Sequence, residues 1–369
     1  MTDLSFYAGK KVLITGHTGF KGAWLCKLLA NQGALVSGYS MQAPSSPALY
    51  ELAELDRFVD STIADIRDLA QLQAAFDRVQ PEIVFHLAAQ PLVRDSYKTP
   101  VYTYETNVMG TVNILECVRS SRSVKSFLNV TTDKVYENKE WEWGYRENEA
   151  LNGFDPYSNS KSCSELVTHS YKSSFFEDGR VAISTARAGN VIGGGDFSAD
   201  RIIPDCVKAA IGKCDIIIRN PHSTRPYQHV LEPLSAYLLI AQKQYEDRQF
   251  EGSYNVGPDD ADCVTTGELV DLFVKKWGGS LKWVNQSDGG PHEANFLKLD
   301  CAKIKSVFGW QPLWHVDKAI EKTIEWSKAW AGKADIGTCM DQQITSYFCL
   351  LYTSPSPRDL STSRMPSSA

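Results

Sequence analysis

Short apolar runs alternate with helical patterns over the first third of the chain. Residues 11–15 (Lys11 to Thr15) read as a buried strand, 16–22 as a turn, and 23–32 as a helix closed by Gly33. Residues 34–39 form a second strand and 61–65 a short third. A helical pattern over 69–79 stops at Pro81, and 82–87 is a fourth strand. A long helix over 103–121 leads into a fifth strand at 126–131. Strands alternating with helices of about 10 to 15 residues build right-handed βαβ units. The pattern therefore predicts an α/β chain with a Rossmann-like, doubly wound parallel sheet.

A helix over 158–176 and a strand over 180–186 continue the alternation. Beyond residue 187 it loosens, with Gly193 to Gly195, prolines at 221 and 226, and helical patterns at 234–244, 266–277 and 316–330. This second part reads as a smaller mixed α/β substrate domain laid over the carboxyl ends of the strands, where open α/β sheets place their ligands. The expected division is a cofactor domain at 1–186, completed by 226–258, and a substrate domain from 187–225 and 259–348. From Cys349 to Ala369 the periodicity disappears. That stretch reads as a disordered tail or as translated linker sequence outside the fold.

Composition narrows the partners. The 369 residues are 43% hydrophobic and 22% charged, with 38 basic against 44 acidic side chains, a formal charge of −6. This describes an ordinary globule and speaks against nucleic acid or an acidic membrane as partner. No run approaches the roughly 20 apolar residues of a membrane span, and the residues before Lys11 lack a signal-type apolar segment. A cytoplasmic location is expected. Nine widely spaced cysteines without a CxxC pair predict reduced thiols and no metal site.

The chemistry begins in the first turn. Gly16, Gly19 and Gly22 form a GxxGxxG directly after a strand and at the start of a helix. Gly16 permits the tight turn, Gly19 lets the backbone approach a pyrophosphate, Gly22 packs helix on strand, and the helix N-terminus supplies an anion site. At the end of the second strand, where a carboxylate normally holds the adenosine ribose, stand Gly38, Tyr39 and Ser40. That position does not secure NAD over NADP. No cation is placed there for a 2′-phosphate, so NAD is the expected cofactor. Asp65 and Ile66 follow the third strand, and Asp65 is either a partner for the adenine edge or an ordinary helix cap. The side chains of His17 and Lys21 either approach the cofactor phosphates or disturb the close approach that the glycines provide.

Tyr157 and Lys161 lie one helical turn apart on one face, so the ammonium is placed to lower the phenol's pKa and to reach a ribose hydroxyl. Thr132, at the end of the fifth strand, offers a hydroxyl to the same substrate oxygen. Together they suit oxidation of a carbinol by hydride transfer. Asp133 and Lys134 are either two further catalytic groups or a surface pair at a strand end. Arg219 and Arg225, in one proline-flanked loop after an apolar strand, suit a bidentate diphosphate or are surface arginines; Arg201, at a helix start, is a weaker candidate of the same kind. Trp141 and Trp143 border the sugar pocket or simply pack, and His229 reads as structural.

In this order the glycine loop, His86-Leu-Ala-Ala-Gln90, Asn107, Thr132 and Tyr157/Lys161 resemble the extended short-chain dehydrogenase/reductase superfamily, over the chain to about residue 345. Within it, the runs Gly16–Gly22, Leu87–Arg94, Thr131–Tyr136 and Arg225–Pro233 resemble the nucleotide-sugar 4,6-dehydratases that act on CDP-glucose. The resemblance implies NAD bound by the loop (Gly16, His17, Thr18, Gly19, Phe20, Gly22), by Asp65, Ile66, Leu87, Ala88, Ala89 and Asn107, and by Tyr157 and Lys161. It implies CDP-glucose as substrate, with Thr132 on the sugar and Asn190 on the diphosphate beside the arginines. It also implies oxidation at C4 by Tyr157, Thr132 and Lys161, loss of water across C5 and C6, and return of the hydride to C6, for deoxysugar supply to surface polysaccharide such as lipopolysaccharide O-antigen. Asp133 would be the acid at C6. Lys134 would be the base at C5, where the dTDP-glucose enzymes carry a Glu. The helices over 103–121 and 158–176 would form the usual contact of a homodimer or homotetramer. A nucleotide-sugar 4-epimerase or reductase would need neither Asp133 nor Lys134, and a non-catalytic NAD-binding protein would need none of these groups.

Overall fold

The computed structural model describes residues 3–286 and 296–353. Seven parallel strands form the central sheet. They are β1 (Lys11–Thr15), β2 (Leu35–Ser40), β3 (Asp60–Ile63), β4 (Ile83–His86), β5 (Ser126–Val130), β6 (Ala182–Ala188) and, after three strands that belong elsewhere, β10 (Ser253–Val256). The order across the sheet is β10-β6-β5-β4-β1-β2-β3. It reverses between β1 and β4, where Thr15 pairs with His86, and that reversal opens the ligand crevice at the carboxyl ends. β1, β4 and β5 are apolar runs because helices cover both faces. Leu72, Phe76, Ile114 and Phe127 pack on one face, and Trp24, Leu28, Tyr237 and Tyr347 on the other.

Capping sets where the key helix begins. The Asp155 side chain accepts from the Ser158 amide, and Pro156 takes the first helical position, so the helix runs Pro156–Phe175, two residues earlier than periodicity suggests. The helix expected over 103–121 is in fact three segments. An α segment (Pro100–Tyr104) enters a π turn (Glu105–Met109), and the α-helix resumes at Gly110–Ser120. The π turn lies where buried Asn107 is gripped by the loop after β4, a tertiary demand that local pattern does not carry.

The remaining strands are β7 (Asn190–Ile192), β8 (Ile216–Ile218), β9 (Thr224–His229), β11 (Cys263–Thr265) and β12 (Trp283–Asn285). They form a three-stranded sheet, β11-β9-β7, and a two-stranded pair, β12-β8. Helices Ile202–Gly212, Thr266–Trp277 and Val316–Ala331 close a separate core around Ile216, Tyr227, Phe273 and Ile320. The expected boundaries shift accordingly. β6 extends past residue 186, and β9 places 224–229 in the small sheet, so the chain returns to the cofactor domain with helix Leu231–Glu246. The final described helix is Ile336–Thr353, so residues 349–353 continue a helix where a tail was expected; 354–369 lie outside the described residues. Among the described residues no helix is long and apolar enough to cross a membrane.

Candidate active site

The glycine loop is built as a cradle. Gly16 has φ of +76°, and a Cβ there would lie 2.8 Å from the Ala88 amide nitrogen. Gly19 is the N-cap of helix Phe20–Asn31 and leaves its first turn without a side-chain cap. A Cβ on Gly22 would meet the Gly16 carbonyl at 2.2 Å, so Gly22 packs the helix on the loop itself rather than on the strand. These features fit a dinucleotide pyrophosphate at the helix N-terminus. His17 departs from expectation. Its buried ring lies over Gly38, where a Cβ would fall 2.3 Å from His17 Cγ, and its Nε2 is 2.7 Å from Ser61 Oγ. Burial, opposed by a backbone hydrogen bond at Tyr39, lowers its pKa to about 4. The side chain is thus a neutral spacer between loop and sheet rather than a cationic phosphate ligand. The Thr18 hydroxyl is also turned to the sheet edge, 2.9 Å from Ser40 Oγ and donating to the Met41 carbonyl at 3.0 Å.

The segment after β4 is fixed from both sides. Leu87 N donates to the Thr15 carbonyl and Ala88 N to Thr15 Oγ1, with Ala89 next in line. Asn107 Oδ1 accepts from Gln90 N at 2.8 Å, while its Nδ2 donates to the Gln90 carbonyl and to Ser160 Oγ. Asn107 therefore clamps this segment to the helix that carries Tyr157 and Lys161. Ile66 is core, pressed against Gly110. Asp65 is not the helix cap; Asp68 is, accepting from Gln71 N. The Asp65 carboxylate instead pairs with Arg67 at 2.8 Å, and that hydrogen bond holds its pKa down.

One cleft of about 710 Å³ gathers Thr132, Asp133, Lys134 and Tyr157 with Asn190, Arg201, Arg219 and Arg225. Phe20 and Lys21 line it too. Asp133 is 1% exposed, accepts from Thr132 Oγ1 at 3.0 Å through Oδ1, and has an Oδ2 without a hydrogen-bond partner. Burial raises its pKa, against the pull of Lys134, Thr132, Arg225 and Lys21. A carboxyl disposed to hold its proton is what a general acid needs. This buried position takes Asp133 off the surface, while Lys134 is partly exposed at the cleft.

Tyr157 and Lys161 are both buried, and burial dominates both. It pushes the phenol up to about 12, with the Thr132 hydroxyl and Arg201 acting in the opposite sense. It pulls the ammonium down to about 7, helped by Lys21 and opposed by Glu165. The expected lowering of the phenol by the lysine is not what the structure has: Lys161 Nζ donates to the Val130 carbonyl at 3.1 Å. Lys21, partly buried in the same cleft, is itself lowered to about 8, by burial and then by Arg201.

The arginines stand on different elements. Arg219 follows β8 and pairs with Asp200 at 2.6 Å and Asp205 at 3.8 Å; Arg225 stands within β9, is 4% exposed and donates to the Thr224 carbonyl. They share the cleft but not a loop. Arg201 pairs with Asp196 at 3.1 Å. Trp141 packs on Tyr145, and Trp143 is exposed; neither lines the cleft. His229 is buried between Trp24 and Trp314, its pKa lowered to about 3 chiefly by burial, as suits a structural group.

The family model for GDP-mannose 4,6 dehydratase matches residues 13–323. The chain belongs to that family. The CDP-glucose 4,6-dehydratase of Salmonella typhimurium is 47% identical over 353 residues, covering 94% of this chain and 98% of that protein. The dTDP-glucose 4,6-dehydratase of Shigella flexneri is 27% identical, covering 89% and 96%. Among solved structures, an epimerase of Methanothermobacter thermautotrophicus superposes with a TM-score of 0.77 at 21% identity, over 89% of this chain and 96% of that one. The dTDP-glucose 4,6-dehydratase of Bacillus anthracis, in complex with NAD, gives 0.73 at 19% identity, over 87% and 97%. The Rossmann-like fold and the resemblance to the 4,6-dehydratases read from sequence are both borne out. A 4,6-dehydratase is a lyase, and membership of this family makes Asp133 and Lys134 more pertinent than a simple reductase would. Sequence reasoning passed over Glu165 and the three aspartates that pair the rim arginines. Glu165 carried a signal, four residues after Lys161 on one helical face; the aspartates lay in the stretch where no period could be read.

Proposed function

We propose that the protein is an NAD-dependent CDP-glucose 4,6-dehydratase. The observation that carries the reading is the buried Asp133 beside Thr132 and Tyr157 in one cleft, an acid that oxidation at C4 alone does not require. The CDP base is supported by the near-full-length similarity to the Salmonella enzyme. The loop from Gly16 to Gly22, the segment from Leu87 to Ala89 and Lys161 would hold NAD, which when bound accepts the C4 hydride and returns it at C6. Tyr157, as the phenolate, takes the C4 hydroxyl proton, with the Thr132 hydroxyl placed to donate to the same oxygen. The ketone so formed acidifies the C5 proton, which Lys134, acting as the neutral amine, would remove. Asp133 protonates the departing C6 hydroxyl, and water leaves.

Asn190, Arg201, Arg219 and Arg225 would receive the diphosphate. Acting in the cytoplasm, the enzyme would supply deoxysugar for surface polysaccharide. Exposed Val101, Met109, Leu166 and Phe175 on the helices around 100–109 and 156–175 support a homodimer or homotetramer through those helices. Incubation of the purified protein with CDP-glucose and NAD should yield a 4-keto-6-deoxy sugar, read by its alkali-induced absorbance. Turnover of another nucleotide-sugar with none of CDP-glucose would sink the base assignment.

A further inference from the structure

A buried ion pair lies directly behind the catalytic turn and has no part in the steps above. Glu165 follows Lys161 by one helical turn, and both are buried. Its Oε1 accepts from Thr131 Oγ1 at 2.5 Å; its Oε2 accepts from Thr185 Oγ1 at 2.8 Å and from Arg187 Nη2 at 2.9 Å. Arg187 Nη1 donates onward to the Tyr136 hydroxyl at 2.8 Å and to the Glu147 carbonyl at 3.0 Å. One carboxylate thus ties the helix of Tyr157 and Lys161 to the strand end bearing Thr132 and Asp133, and to β6. Buried pairs of this kind seldom stabilise a fold more than apolar residues of the same volume would, so stability alone is a weak reason for the pair.

The surroundings of Lys161 supply a better one. From helix Phe20–Asn31 it faces the cation Lys21; from β4 it faces His86, which burial keeps neutral with a pKa near 3; from its own helix it has Tyr157 and Glu165. Of these groups Glu165 is the anion that favours the ammonium, against burial and Lys21. The reactive arrangement, phenolate beside ammonium, carries the same number of protons as the resting one, phenol beside amine. Any group that favours the ammonium raises the reactive fraction.

We propose that Glu165, anchored by Arg187, is a positioning residue of the reaction: from one helical turn away its charge favours the ammonium form of Lys161, and it pins the Thr131–Asp133 turn to the same helix. This rests on the reading that Tyr157 takes the substrate proton. Glu165→Gln keeps the shape and one of the two acceptor oxygens while removing the charge. Two readouts apply: the Lys161 titration, followed by NMR of isotope-labelled lysine ε-carbons in the protein without nucleotide, and the rate at which bound NADH forms on mixing with NAD and CDP-glucose across pH.

In E165Q the Lys161 midpoint should fall to lower pH, the acid limb of the rate profile should move down with it, and the plateau should drop about tenfold, as one pKa unit implies. An unmoved midpoint overturns the proposal whatever the rate does. Should E165Q not fold, Thr131→Val removes one hydrogen bond to the carboxylate and leaves its charge; it should slow hydride transfer roughly threefold or more with the midpoint in place, and an unchanged rate overturns the proposal. Wild-type protein that forms NADH with another nucleotide-sugar would remove the CDP assignment and leave this inference standing. Wild type that forms none with any nucleotide-sugar would remove the underlying reading before any variant is compared.

Discussion

The two walls of the cleft treat charge in opposite ways. On the cofactor side polar groups are buried and turned inward: His17 and His86 are held neutral by burial, and Asn107 spends its amide on Gln90 and Ser160. On the substrate side Arg201 and Arg219 sit about one-third exposed, paired with Asp196, Asp200 and Asp205. The Arg219 pairs, a third or more exposed on both sides, contribute about 0.2–1 kcal/mol each, so Asp200 and Asp205 can be exchanged for a diphosphate at little cost, whereas the Asp196 side chain is 4% exposed. The cofactor wall is a fixed mould; the substrate wall has replaceable ion pairs at Arg219, while Arg225 and the Asp196 side chain, each 4% exposed, are fixed. The proposed catalytic groups lie at the seam, where burial is deep enough to move a pKa and the cleft is open enough to admit a sugar.

The largest test of that division is Tyr157→Phe. It removes the proton acceptor and leaves the mould intact, so turnover should fall by about a thousandfold or more while calorimetric NAD affinity stays within about twofold. A matching loss of NAD affinity would mean that the seam is part of the mould. Asp133→Asn comes next. Elimination should slow by roughly a hundredfold, with C4 oxidation surviving, seen as bound NADH that persists. The same variant reports on stability. Burial raises the carboxyl's pKa in the fold above its unfolded value, so its favourable contribution is present at low pH and is lost as pH rises through the folded pKa. D133N should therefore melt higher than wild type at neutral pH, with the gain shrinking as pH falls. A variant less stable at every pH would show that Asp133 is structural.

The same division decided what could be read from sequence. The mould is made of long, strongly periodic elements: the helix over 69–79 is found at those residues, and β1 and β5 within one residue of expectation. Apart from six-residue β9, the substrate wall is made of three-residue strands, β7, β8, β11 and β12, of which only the apolar run of β8 could be read and the others are too short to show a period. They exist because tertiary pairing compels them. The candidate residues were legible because their chemistry is local: a glycine turn, and Tyr157 and Lys161 on one helical face. Their electrostatics were not. That Lys161 bonds a main-chain carbonyl, or that His17 turns toward Gly38, depends on atoms distant in the chain. So does the pairing of Arg219, whose partners stand in a stretch with no readable pattern.

Arg219→Ala tests the replaceable wall from the cation's side. Loss of a charge-assisted contact to a phosphate present in ground and transition states alike should raise KM for CDP-glucose about tenfold or more, with kcat within about threefold. A fall in kcat at unchanged KM would move Arg219 into the chemistry.

The smallest effect expected is the most specific. Asp200 pairs with Arg219 at 2.6 Å and has φ of +59°, so the variant of choice is Asp200→Asn, which tolerates that backbone and removes only the charge. If the diphosphate has to displace Asp200 from Arg219, removing its charge should tighten substrate binding. A half-exposed pair worth at most about 1 kcal/mol allows a gain of roughly two- to fivefold in KM, with kcat unchanged. Asp205, 3.8 Å from the same guanidinium, remains to keep Arg219 in the cleft, which is why the gain stays small. Added salt should shrink the difference between variant and wild type, since it screens the competing carboxylate. A KM that rises in D200N would show instead that Asp200 orients Arg219 for the substrate, and the substrate wall would then be as fixed as the cofactor wall.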